Sequence, residues 1–177
     1  MQTISLEPTS DNRLAGWAAY VSAAASFVGT VFLVLFFTVG QPFGSLNDFF
    51  GGVLVSLAQL PLVLFFYRLH RAQYPRASLL VAWFGVAALL FFAVASALLI
   101  LKAYGIVDFP FWLQGLAFVL AGIWLILVNY LSIVTATLPR ALAWLGIVSG
   151  TPLGLICYPV WAIWLGRGLM SYPRVRD

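Results

Sequence analysis

The sequence predicts an all-α integral membrane protein, a bundle of about five transmembrane helices. Hydrophobic residues make up 63% of the chain and charged residues only 8%, whereas a soluble domain carries about 25% charged residues. The nine basic and five acidic residues also lie outside five long apolar runs. A chain this apolar has too few polar side chains to cover a water-facing surface, so lipid is the solvent in which it folds.

The five apolar runs are the predicted spans of a single domain that covers residues 1–177. Their bounds are 14–40, 49–67, 77–101, 109–136 and 141–166. Each run is long enough to span, because about 20 residues at a rise of about 1.5 Å cross a hydrocarbon core of about 30 Å. Residues 31–37 are apolar at every position, which excludes the period-two alternation of a transmembrane β-barrel.

The first run is predicted to be a retained span. Residues 1–12 contain Glu7 and Asp11 but no Lys or Arg, unlike the basic start of a cleavable signal. Turn residues separate the later runs, and the short loops place successive helices side by side and antiparallel. Asn47 and Asp48 precede the second run and are interpreted as helix caps, with a polar mouth as the alternative.

The orientation in the membrane is left nearly undecided by a five-span count, in which the two tails lie on opposite faces. Five basic residues then flank one face and four flank the other. The positive-inside rule therefore gives almost a tie. Either the basic carboxyl-terminal tail is translocated, or the number of spans is not five. The dense basic loop at residues 68–76 favours an amino terminus inside.

Two sets of small residues predict close helix packing. Gly115 and Gly122 share one face of the fourth run with Asn129, at seven-residue spacing. In the fifth run, small residues recur every four positions at Gly146, Gly150 and Gly154. Small residues allow helix backbones to approach closely in membranes. The fifth-run strip is expected to pack either within the chain or against a partner chain, and Pro152 and Pro159 predict a kink there.

Uncharged polar groups inside the runs are the candidate ligand-binding residues: Gln59, Asn129, Tyr130, Thr151 and Tyr158. They could line a pocket for a small apolar or lipid-like ligand. For Gln59 and Asn129 the alternative is a hydrogen bond between helices. Gln59 also lies two residues before Pro61, whose ring leaves a backbone carbonyl without its helical donor.

Other functions are disfavoured by the absence of charge inside the runs. Proton-coupled transport usually places ionisable residues within spans. His70 is the single histidine; it is predicted to be an interfacial side chain among arginines, and no cluster has metal-ligand spacing. We expect no catalytic residue, no metal and no cofactor. The dispersed basic residues also argue against a nucleic-acid partner.

Two segments resemble patterns found in uncharacterised bacterial multi-pass membrane proteins: GSLND at residues 44–48 and YPVWAIWLGR at residues 158–167. This resemblance implies a small multi-pass protein of the bacterial inner membrane and transfers no functional residue. The sequence-based hypothesis is a non-catalytic accessory or structural subunit of a membrane assembly. Its partners are the lipid bilayer and a second membrane subunit or another copy of the chain. The alternative is a binding protein or carrier for a small apolar or lipid-like ligand.

Overall fold

The computed structural model describes residues 10–171, and all regular secondary structure in that part is helical. Four helical stretches are long and apolar enough to cross a membrane, which confirms the predicted all-α membrane bundle. The second of them, Phe43–His70, consists of two α-helices joined by a π-helical segment. The elements are α1 (Ser10–Val39), α2 (Phe43–Asn47), the π-helical segment (Asp48–Leu54), α3 (Val55–His70), α4 (Pro75–Ala103), α5 (Phe111–Val134), α6 (Arg140–Ser149) and α7 (Gly154–Met170).

The fifth apolar run does not form one continuous helix. It forms α6, with 10 residues, and α7, with 17 residues, separated by a turn at residues 150–153. The turn contains Pro152, which has no backbone N–H to continue the hydrogen-bond ladder of α6. At 1.5 Å per residue α6 is roughly 15 Å long, half the thickness of a bilayer core. The helix α7 continues through Pro159.

The helices α6 and α7 form a re-entrant hairpin. Along α6, Gly146 packs against Asn129, and Gly150 packs against Gly122, halfway along α5. The chain then turns back, and α7 runs antiparallel to α1 until Met170 lies against Gly16. The described chain therefore begins and ends at the same face of the bundle, which differs from the opposite faces expected for five complete spans.

The hairpin places almost all described basic residues at one end of the bundle. We call this end the amino-terminal face; it comprises residues 10–13, 68–76, 135–140 and 167–171. The other end, the distal face, comprises residues 39–48 and 102–110. Within the described part, the distal face has Lys102 as its basic residue. The amino-terminal face has Arg13, Arg68, Arg71, Arg76, Arg140 and Arg167.

The contact between α1 and α7 is close because the facing side chains of α1 are small. Ala15, Ala19, Ser22 and Ala23 are almost completely buried. On the other side of α7, the ring of Trp161 stacks on Phe66 of α3, with the ring centroids 6.3 Å apart. The hairpin is thus held by α5 along α6 and by α1 and α3 along α7.

The topology can be tested by cysteine labelling in a Cys157→Ala background. We expect Ala72→Cys and Ser171→Cys to react with a membrane-impermeant maleimide from the same side of sealed vesicles. Ile106→Cys, in a distal loop where Ile106 is 66% exposed, should react from the other side. Labelling of Ser171→Cys from the side of Ile106→Cys would show that the fifth run crosses the membrane.

The close approach of α5 and α6 predicts that Gly150→Leu destabilises the fold. A Cβ at Gly150 would overlap the carbonyl oxygen of Gly122 and lie 2.6 Å from Cγ1 of Ile126. Overpacking of this kind costs about 1–3 kcal/mol, measurable as a lower unfolding free energy in detergent. The control is Gly168→Leu, because Gly168 is exposed and has open space at its Cβ position. Equal stability of the two variants would contradict the packing.

Candidate ligand cavity

A cavity of about 590 Å³ lies between the tip of the hairpin and the distal face. It exists because the hairpin fills only half of the space between α1 and α5. Residues of α1, α4, α5 and the Phe43–His70 stretch form its walls, and Ser149, Gly150 and Gly154 at the hairpin tip form its floor. Ligand sites in proteins have volumes of about 300–1,000 Å³, so the cavity can hold a small molecule or part of a lipid.

The cavity is open on one side. Among their described residues, α1 and α5 share no extensive contact, so the hairpin tip leaves a gap between them. Phe37 of α1 and Leu155 of α7 both line the cavity and are 78% and 44% exposed. The cavity is therefore accessible from the side of the bundle, between α1 and α5.

Apolar and aromatic side chains form most of the wall. The phenylalanines that line the cavity come from α1, α4 and α5, and they are Phe36, Phe37, Phe92, Phe111 and Phe118. Phe92 is buried and makes an edge-to-face contact with Phe118, with centroids 5.9 Å apart. Such a lining favours an alkyl chain or a ring system over a strongly hydrated solute.

A small polar group lies at the inner end of the cavity. Tyr158 donates a hydrogen bond to Oγ of Ser22, with 2.8 Å between the oxygens, and the Ser22 hydroxyl faces the carbonyl of Ala19 at 3.0 Å. The side chain of Gln59 interacts with the same Tyr158 hydroxyl. Gln59 and Tyr158 both line the cavity, where they offer neutral hydrogen-bonding groups beside the apolar wall.

The distal end of the cavity carries the charged groups. Gln41, Asn47, Asp48 and Lys102 line it. Nζ of Lys102 lies 3.2 Å from Oδ1 of Asp108 and 2.7 Å from the backbone oxygen of Phe109. Its charge is therefore already paired outside the cavity.

The side chains of Asn47 and Asp48 do not cap the start of a helix, which corrects the interpretation of these residues as N-terminal caps of the second run. The helical stretch already begins at Phe43, and Asp48 is the first residue of the π-helical segment, where no side chain makes a cap hydrogen bond. Nδ2 of Asn47 donates a hydrogen bond to Asp48 at 3.4 Å. The carboxylate therefore belongs to the helical wall of the cavity.

The π-helical segment fits between its neighbours because glycines occupy its contacts with α1 and α4. A Cβ at Gly29 of α1 would lie 2.7 Å from Cα of Gly51, and a Cβ at Gly52 would overlap the side chain of Ser96 in α4. Single π-helical turns inside α-helices are frequent at functional sites. A glycine pair within an apolar run, as at residues 51 and 52, is a sequence signal for such a close approach, but neither glycine was among the predicted packing residues.

The structure brings two of the five predicted ligand-binding residues to the cavity, Gln59 and Tyr158. The others lie elsewhere. Asn129 is buried between α5 and α6 and donates to the Leu125 carbonyl at 2.8 Å. Tyr130 is 57% exposed on the outside of the bundle. Thr151 lies in the hairpin turn and donates to the Val148 carbonyl at 2.7 Å.

The predicted packing glycines lie in the interface between α5 and α6, at the cavity, or where the two meet. Gly146 lies in the interface between α5 and α6, and Gly122 and Gly150 lie where this interface meets the cavity. Gly154 is the first residue of α7, and a Cβ there would overlap the carbonyl oxygen of Ser149. Gly154 also lines the cavity. Gly115 has no neighbouring atom within 4 Å of a Cβ position, so it faces open cavity space and makes no close helix contact.

A second polar cluster, centred on His70, lies near the amino-terminal face. His70 is only 1% exposed, which corrects its assignment as an interfacial side chain. Its Nε2 lies 3.1 Å from Oγ of Ser132, and its Nδ1 lies 3.2 Å from Oγ1 of Thr135. The described residues contain no group of three His, Cys, Asp or Glu side chains that could hold a metal ion. The cluster ties the end of α3 to the end of α5.

Comparison with known proteins assigns this chain to no family. No family model, no curated protein and no solved structure matches it. Any function must therefore be argued from the cavity and the groups that line it.

The hydrogen bond between Ser22 and Tyr158 predicts a measurable coupling between α1 and α7. We expect Ser22→Ala and Tyr158→Phe each to lower the unfolding free energy, and the double variant to lose less than the sum. Hydrogen bonds between membrane helices contribute about 0.6 kcal/mol on average, so the coupling should be of that order. A double-mutant cycle of unfolding in detergent measures it, and strictly additive losses would contradict a direct bond.

Proposed function

We propose that this protein is a binding protein or carrier for a small lipid-like ligand, which it holds in the cavity between the hairpin tip and the distal face. The observation that carries the proposal is the cavity of about 590 Å³, with an aromatic wall, a polar inner end and a charged distal end. An amphipathic molecule matches this arrangement, because its apolar part replaces lipid contacts and its polar part meets hydrogen-bonding groups.

The broken helix supports the same proposal. Non-helical backbone at membrane depth is tolerated where it is buried in protein or lines a cavity. In several transporters, ends of discontinuous helices form the substrate site near the bilayer midplane. Here the turn between α6 and α7 forms the floor of the cavity halfway along α5.

We also propose a multi-pass location in the bacterial inner membrane, with the amino-terminal face in the cytoplasm. The positive-inside rule favours this orientation, because short cytoplasmic segments are enriched in Lys and Arg. That face has six described arginines, whereas Lys102 is the basic residue of the distal face among the described residues. The cavity then opens towards the outer leaflet.

The accessory-subunit hypothesis receives less support. It depended on the glycine strip of the fifth run as a docking face, but Gly146 and Gly150 pack against α5 of the same chain. A partner subunit or second copy bound to another face stays a prediction. The proposal includes no catalytic role.

A cavity-filling variant tests the proposal. We expect Gly115→Phe to fill the cavity without disturbing the helices, because a Cβ at Gly115 meets no atom within 4 Å. The variant should lose any lipid or other small molecule that co-purifies with the wild-type protein, as measured by native mass spectrometry after mild extraction.

The matched control is Gly168→Phe, which adds the same side chain at an exposed glycine of α7 that also has open space. The control should retain the bound mass. A wild-type protein that carries no ligand after extraction and binds no added lipid-like probe would contradict the proposed function. Equal retention by both variants would place the ligand outside the cavity.

A further inference from the structure

The distal end of the cavity contains one carboxylate that no described cation neutralises. Asp48 is the acidic residue among those that line the cavity, and it is only partly exposed. In residues 10–171 its carboxylate makes no salt bridge; the hydrogen bond from Asn47, at 3.4 Å, is long. A carboxylate that is partly removed from bulk water without a cationic partner is costly, so a bound cation at this position would be stabilising.

Lys102 lines the same cavity but forms no salt bridge with Asp48. Its ammonium group is held by the carboxylate of Asp108 and the carbonyl of Phe109, both outside the cavity lining. The side chain of Asp108 is 98% exposed. Of the two charged groups that line the distal end of the cavity, Asp48 is therefore the one without an ion-pair partner among the described residues.

Aromatic rings lie at the same end of the cavity as Asp48. Phe36 is close to Gly44, one helical turn before Asp48, since a Cβ at Gly44 would lie 2.9 Å from Cδ2 of Phe36. Phe36, Phe37 and Phe111 all belong to helix ends at the distal face and line the cavity. The faces of aromatic rings attract cations, including quaternary ammonium groups.

We propose that the ligand of this cavity is a cationic amphipath, whose ammonium head group binds Asp48 among these phenylalanine rings. Its apolar part lies along the apolar wall of the cavity in the direction of Gln59, which is roughly 16 Å deeper along the same helical stretch. This inference rests on the proposed function and specifies the ligand's chemistry: an organic ammonium compound with an apolar body.

The experiment compares three fluorescent probes with the same alkyl tail and different head groups. The heads are trimethylammonium, hydroxyl and sulfonate, and binding to the purified full chain in a non-ionic maltoside detergent is followed by fluorescence anisotropy. We expect the ammonium probe to bind at least about tenfold more tightly than the hydroxyl probe, because the Asp48 carboxylate and the faces of the phenylalanine rings both attract a cation.

Two variants test whether the preference for the ammonium probe comes from Asp48. Asp48→Asn should reduce the difference between the ammonium and hydroxyl probes to about twofold or less, while Asp48→Glu should retain the preference. The control is the double variant Lys102→Gln/Asp108→Asn, which removes the neighbouring ion pair without freeing Lys102 and leaves the net charge of the distal face unchanged. It should keep the preference for the ammonium probe. Equal losses in Asp48→Asn and in the double variant would show that the preference does not depend on contact with Asp48 and would overturn the proposal.

The three probes also separate failure of this inference from failure of the proposed function. Equal binding of the ammonium and hydroxyl probes, both lost in Gly115→Phe, would overturn the cationic ligand and leave the cavity function standing. Preference for the sulfonate probe would likewise overturn it and would indicate Lys102 as the head-group contact. Binding of none of the probes to the wild-type chain would contradict both proposals.

Discussion

The close backbone approach between Gly122 of α5 and Gly150 of α6 is the constraint on which the rest of the structure depends. A Cβ on either residue would overlap the carbonyl oxygen of the other, so both positions require glycine for the helices to meet there. This contact sets the depth at which α6 ends, halfway along α5. Because the chain turns back at that depth, α7 returns to the face where α1 begins. This contact therefore explains why the described termini lie at the same face. It also explains the cavity between the turn and the distal face.

The turn at residues 150–153 is compatible with an apolar surrounding because its polar groups find partners locally. The backbone N–H of Gly154 donates to the carbonyl of Thr151 at 2.8 Å, and the Thr151 hydroxyl donates to Val148. Open backbone in lipid would otherwise be costly. Gly150 at the start of the turn and the flanking Ser149 and Gly154 line the cavity, so the break in the helix and the candidate site have a common physical origin.

The π-helical segment has a comparable role at the opposite wall of the cavity. Gly29 lets α1 lie against the backbone of Gly51, and Gly52 lets the segment lie against Ser96 of α4. The segment begins at Asp48. A loop would have left this carboxylate in water at the membrane surface. A continuous helix from Phe43 to His70 places it in the cavity wall, where it is partly shielded and available to a ligand. The function proposed for the cavity depends on this difference.

The sequence by itself determined the solvent and the fold class. Five long runs without charge can fold only as helices in lipid, because each buries its backbone hydrogen bonds internally and exposes apolar side chains. It also singled out Gly122, Gly146 and Gly150 as small residues, and Gln59 and Tyr158 as polar groups at depth. Only the tertiary structure decided that the fifth run doubles back. Its length fits one crossing or one hairpin equally well, and the contact of Gly150 with Gly122 distinguishes them. Only the tertiary structure placed Asp48 in the cavity wall, because local turn residues resemble a loop until neighbouring helices hold them in a helical segment.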